Sequence, residues 1–206
     1  VTELEFYLID AASYYGGSIF YPGSQAATVL HEFSRWAPLL PESVSTSVVL
    51  LRLPDIPGVP EPLRGQTSVQ LRFVHIGDLA SGVSLLAPMR AVVTPMIDLV
   101  DMTPSAAIAS VHQDPTEPMP ARDDAMILSD FPAEAVGALL AVAGPEVESP
   151  LVMVEVRLMG GALARPGKYE SAVGGRHGKF NLCVIGPYPP PLIDAVDAST
   201  RAVLEA

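Results

Sequence analysis

A single cysteine, Cys183, stands in the 206 residues, so no internal disulfide can close, and a reducing, cytoplasmic setting is the expectation. Positive charge is scarce as well. Twelve Lys and Arg face 23 Asp and Glu, for a net charge of −11. Nucleic-acid affinity rests on clustered cations, which this chain lacks, and the same shortage disfavours an anionic membrane surface. No run approaches the roughly 20 apolar residues of a membrane-spanning helix. The motifs G-x-G-x-x-G, G-x-x-x-x-G-K-[ST] and G-x-S-x-G are absent, so a dinucleotide fold, a P-loop and a hydrolase elbow lose their signatures. The histidines, His31, His75, His112 and His177, are scattered without ligand-like spacing, and no metal site is expected.

What is present is a chain able to fold. Hydrophobic residues make up 49% and charged residues 17%, which is not the balance of a disordered segment. Its 21 prolines gather in connections, at 54–62, 115–120 and 187–191. The most uneven stretch is 150–187. Along 151–159, Val152, Val154, Val156 and Leu158 alternate with Leu151, Met153, Glu155, Arg157 and Met159. Strand side chains alternate between faces, so the first set suits a core covered by helices. The second set places Glu155 and Arg157 among long apolar residues, on a face suited to meeting something else. A solvated surface pair is the plainer interpretation of those two charges, worth about 0–1 kcal/mol. Against it stands the connection of about 17 residues that follows, bracketed by Gly160-Gly161 and Gly174-Gly175, since long connections inside a domain are usually functional or disordered. The next strand, 179–185, carries Asn181 and Cys183 on one face, and Cys183 reads as an inert thiol in an apolar strand.

In chain order, residues 2–9 alternate Leu4, Phe6 and Leu8 against Glu3, Glu5 and Tyr7, and read as a strand pairing with 13–21. Ala26, Val29, Leu30, Phe33 and Trp36 fall on one helical face, ended by Pro38 and Pro41. Residues 43–53 and 67–76 are strands, the second placing Gln70 and Arg72 on its polar face. Asp78 caps a short helix ending near Pro88, 95–102 is a strand, and Thr103-Pro104 opens a helix over 105–111. Residues 112–122 are a polar loop in which Asp114, with Asp123 and Asp124 just beyond, serves solvation. Asp130 caps a helix over 132–143, and 191–204 is the last helix. The predicted class is α+β: a mostly antiparallel sheet of about seven strands, with helices packed on one face and the other face uncovered by this chain.

Three stretches carry a family resemblance. The opening VTELEFYLID resembles the segment that follows the flavin domain in FAD-linked oxidases of the berberine-bridge-enzyme-like (PCMH-type) group. GQTSVQLRFVHIGDLASGVSLLAPMR is similar to that group's strand, Gly-Asp turn and helix. VEVRLMGGALARP and AVGGRHGKFNLCVIG resemble its strand, Gly-Gly turn and following core strand. The resemblance spans nearly all of residues 1–206 and implies the substrate-binding domain of an FAD-dependent oxidoreductase. It further implies hydride transfer from a small organic substrate to flavin, with oxygen as a frequent acceptor afterwards. The implied base on the sheet is Glu155, with Tyr14 and Tyr15 as further candidates. Arg157, Gln70, Arg72, Asn181 and Tyr15 are the implied substrate-binding residues. The FAD domain and the family's C-terminal segment lie outside these residues, so the expectation is a fragment that is inactive alone, with its own FAD domain as partner and a homo-oligomer left open. The rival expectation is a non-catalytic α+β module whose open face binds an apolar ligand or dimerises.

Since no pyrophosphate-binding segment occurs among the 206 residues, the chain purified alone should show no stoichiometric flavin absorption bands after incubation with FAD and desalting; retention of those bands would contradict the expectation.

Overall fold

Alternation of β-branched and aromatic residues every second position builds the strands, and the apolar stripes at helical spacing fold back over one side of them. The computed structural model describes residues 3, 5, 8–113, 118–167 and 172–206. Among the described residues eight strands are formed: β1 (Ser13–Pro22), β2 (Val44–Arg52), β3 (Thr67–His75), β4 (Ile97–Asp98), β5 (Asp101–Pro104), β6 (Ala121–Leu128), β7 (Met153–Leu158) and β8 (Phe180–Pro187). They lie in the order β4-β1-β3-β2-β7-β8-β6, with β5 also beside β1, and their pairings are antiparallel. The expected α+β class and sheet-with-helices layering hold.

Four α-helices are formed among the described residues: α1 (Ala26–Trp36), α2 (Leu79–Val92), α3 (Ala133–Ala143) and α4 (Ile193–Glu205). The α1 stripe Ala26, Val29, Leu30, Phe33 and Trp36 is buried, as its spacing requires. Phe33 and Phe131 both tilt against Phe180, at ring-centroid separations of 6.3 and 5.8 Å. Two buried polar tips are satisfied by the α2 backbone: Trp36 Nε1 donates to the Leu85 carbonyl and Tyr21 Oη to that of Met89, each at 2.8 Å. Asp78 caps α2 by accepting from the Ser81 amide at 2.9 Å. The helix runs on through Pro88, beyond the expected end. Pro88 is exposed, so the hydrogen bond lost at its nitrogen falls on the solvent side, where its absence costs least.

Gly16 and Gly17 mark a close approach. A Cβ at Gly16 would lie 2.4 Å from the Phe73 carbonyl of β3, and one at Gly17 would lie 2.4 Å from the Leu99 carbonyl on the other flank. Strand β1 is thus pressed between two neighbours, and side chains there would hold them apart.

Several expectations are corrected. The strand over 2–9 falls largely outside the described residues, and the described 8–10 are not in a strand; β1 pairs with β3, β4 and β5 instead. The single strand over 95–102 is two short pieces, β4 and β5. The charged run at 121–128 is strand β6 rather than loop, so Asp123 and Asp124 sit on an edge strand, where one ladder partner and open water suffice. Asp114 lies outside the described residues. Asp130 does not cap α3; its carboxylate takes the Phe131 amide and the Lys179 ammonium, and Pro132 occupies the cap position. The helix over 105–111 is a 3-10 segment, Ser105–Val111, with non-helical backbone at Ala107.

Phe180→Ala removes a fully buried ring shared by α1 and the Phe131 turn. Urea denaturation should show a loss of about 3–5 kcal/mol; a loss within error of zero would contradict the packing described.

Candidate functional site

Antiparallel register decides which side chains share a row across the sheet. On the face away from the α-helices, one row runs Ser18 (β1), Arg72 (β3), Ser47 (β2), Arg157 (β7), Asn181 (β8). The adjacent row on the same face runs Phe20, Gln70, Val49, Glu155, Cys183. Glu155 therefore lies diagonally between the two arginines. Arg72 and Arg157 sit two strands apart, and the small Ser47 between them leaves room for both guanidiniums to reach the carboxylate.

They do reach it. Arg72 Nη1 donates to Glu155 Oε1 at 3.1 Å, and Arg157 Nη2 contacts both Glu155 oxygens at 3.1 Å. The side chains of Arg72 and Glu155 are 5% and 4% exposed, that of Arg157 43%. Burial would raise the Glu155 carboxyl, but the Ser47 hydrogen bond and the charges of Arg157 and Arg72 outweigh it, so the group is held below its ordinary value of 4.5. Beside it, Cys183 is pushed up by burial and by Glu155 and Asp123, so its thiol is not activated.

This face is not bare, contrary to the expectation from sequence. The Ser105–Val111 segment lies over β1: Ser18 Oγ donates to the Val111 carbonyl at 2.7 Å and Tyr14 Oη to that of Ala107 at 3.3 Å. Gln70 Nε2 then donates to Ser18 Oγ at 2.9 Å, and Arg72 Nη2 reaches the His112 carbonyl at 3.4 Å. The proline-rich link after β2 closes another side with Leu53, Pro60 and the buried Leu63. Between these covers and the sheet remains a cavity of about 570 Å³. Its walls are mainly apolar, and its floor is Gln70, Arg72, Glu155 and Arg157. The β8–β6 half of the face stays accessible.

Four residues expected to act together, Glu155, Arg157, Gln70 and Arg72, thus line one cavity. Asn181 shares the face and stands opposite Arg157, beyond the lining. Tyr15 is placed otherwise. It faces the helices, its ring T-shaped against Phe73 and its hydroxyl held by Arg90, so it does not reach the cavity. Its neighbour Tyr14 is on the front but spent on the covering segment. Residues not singled out from sequence are Ser47, Ser18 and the cover itself. Val152, expected behind the sheet, lines the cavity, and Leu151 packs in the core. Gln113 also lines the cavity with φ of 57°, a left-handed conformation uncommon outside glycine. No His, Cys, Asp and Glu grouping suited to a metal ion occurs among the described residues, and no described helix is long and apolar enough to cross a membrane.

No family model and no curated protein matches this sequence. Solved structures do. Physcomitrella patens BBE-like 1 aligns with a TM-score of 0.72 over 95% of this chain and 44% of its own, at 10% identity. The fold is that of BBE-like enzymes. Aclacinomycin oxidoreductase gives 0.70 over 94% of this chain and 41% of its own, at 13% identity. The 6-hydroxy-D-nicotine oxidase of Arthrobacter nicotinovorans gives 0.64 over 95% and 43%, at 14% identity. The chain spans less than half the length of each of these structures, and what it shares with them is the fold.

Glu155→Gln breaks the buried Arg72–Glu155 ion pair, at a cost of about 3 kcal/mol near neutral pH. Because the folded carboxyl titrates below its unfolded value, its contribution is complete above about pH 4.5 and is lost as pH falls through the folded value. The stability difference between wild type and Glu155→Gln, from urea titrations at stepped pH, should therefore be constant above that point and shrink below it. A difference that widens on acidification would contradict the ion-pair geometry.

Proposed function

We propose that this chain is the substrate-binding domain of an FAD-dependent oxidoreductase, with the front-face cavity as the pocket for a small organic substrate. The observation that carries the reading is the cavity itself. About 570 Å³ of mainly apolar space closes over a fixed Arg72–Glu155–Arg157 floor, on the face of the sheet away from the α-helices. Apolar walls with a few convergent polar groups are the usual make-up of a small-molecule site. Support for the flavin comes from the likeness in fold to BBE-like enzymes, together with the sequence resemblance to FAD-linked oxidases.

The cavity does not suit FAD itself. Its two guanidiniums already share Glu155, and its walls are largely apolar where a pyrophosphate would need backbone amides or cations. In this reading the flavin is held by polypeptide outside these residues, where it supplies the hydride acceptor. The chain's own residues bind and orient the substrate and exclude water. Glu155 was the expected base, but an ionised carboxylate engaged by Ser47, Arg72 and Arg157 is a weak proton acceptor. We assign it instead the positioning of Arg157.

A second reading, a non-catalytic ligand-binding module, is favoured by one observation: the only carboxylate among the described lining residues is already engaged. The two are separated by purifying the product of the native gene. The oxidoreductase reading expects flavin bands that bleach anaerobically with substrate, and a bleaching rate that falls at least about tenfold when Leu53→Trp fills the cavity. A native product free of flavin, or bleaching unchanged in that variant, would decide against it.

A further inference from the structure

We infer that the ligand of this cavity carries a carboxylate, received by Arg157, on an apolar body that fills the space beneath Leu53 and Leu63. The inference rests on the reading of the cavity as a substrate pocket and narrows it to one chemical class.

Arg157 is held to Glu155 through a single nitrogen. Both of its contacts to Glu155 leave from Nη2. Arginine has five N–H donors, and no described group takes a hydrogen bond from Nε or Nη1. Arg72 is the deep member of the pair of guanidiniums, at 5% exposure, whereas the Arg157 side chain remains 43% exposed and lines the cavity. Arg157 therefore meets the ligand, while Arg72 and Ser47 lock the carboxylate that holds it.

Fixing matters because a free arginine loses considerable rotamer entropy when it binds. Here Glu155 has already removed much of that freedom, so the remaining donors are presented in a set direction. A guanidinium partly withdrawn from water forms its strongest hydrogen bonds to ionised oxygen, about twice as strong as those to neutral acceptors. Around it stand Leu51, Leu53, Leu63, Val152 and Ile185, which offer no competing acceptor side chain and suit an aromatic or branched body. A phosphate would carry more charge than one shared guanidinium offsets at the mouth of apolar walls. A monocarboxylate matches it one for one.

The test is calorimetric titration of the 206-residue chain with 3-phenylpropionate and with 3-phenylpropanol, its neutral counterpart of similar shape. The acid should bind at least about tenfold more tightly than the alcohol. Arg157→Gln should bring the two dissociation constants within about twofold of each other, and Arg157→Lys should retain part of the preference. Leu53→Trp, which fills the cavity from a loop, should weaken both probes. Circular dichroism of each variant guards against loss of fold, and the partly exposed Arg157 gives the lysine variant every reason to remain folded. If acid and alcohol bind alike in the wild type and Leu53→Trp weakens both, the carboxylate inference is overturned while the cavity remains a ligand site. If Leu53→Trp changes neither affinity, or neither probe binds, the pocket reading falls and takes the inference with it.

Discussion

A carboxylate shared between two guanidiniums, beneath a cover of the chain's own backbone, sets the terms for the front of this sheet. Removing Arg72 and Glu155 from water is costly, and only close contact with further hydrogen bonds offsets it. That requirement constrains the register of three strands at once. A one-residue slip of β7 would send Glu155 and Arg157 to the helix side and part Glu155 from the buried Arg72. Ser47 is part of the same constraint, since a bulky residue on the intervening strand would stand between Arg72 and the carboxylate.

The cover over the sheet is tied to this network rather than merely resting on it. Ser18 links Gln70 to the Val111 carbonyl, and Arg72 contacts both Glu155 and the His112 carbonyl. The polar floor and the Ser105–Val111 segment therefore stabilise one another. The consequence for function is a bounded cavity in place of a flat open face. Its sides are set by His112, Gln113 and Met119, which follow the 3-10 segment, and by the proline-rich link, and its polar chemistry includes one guanidinium left partly accessible. An arginine held by an ionised carboxylate binds and orients. A carboxylate held by two arginines does not readily accept a proton, and Glu155 is such a group.

The helix side was open to direct reading because its signals are local. The Ala26–Trp36 stripe, the Asp78 cap and the alternation through β3 and β7 each depend on residues within a few positions of one another. The candidate site was partly legible for the same reason: period-two alternation puts Gln70 with Arg72, and Glu155 with Arg157, on single faces. Tyr15 was misplaced because alternation says which residues of a strand share a face, not which face is the front. β6 was missed because its charges resemble a loop, and an edge strand tolerates them.

By itself, then, the sequence determined the layered α+β architecture, the helix-covered core and two polar pairs on alternating strand faces, since periodicity and capping act over short spans of chain. Only the tertiary structure decided that those pairs converge on one carboxylate, that Ser105–Val111 turns back over the front, and that Arg157 is left more exposed at the cavity than Arg72. These depend on strand order and register between segments 83 residues apart, such as Arg72 and Glu155, and no local pattern encodes which strands become neighbours.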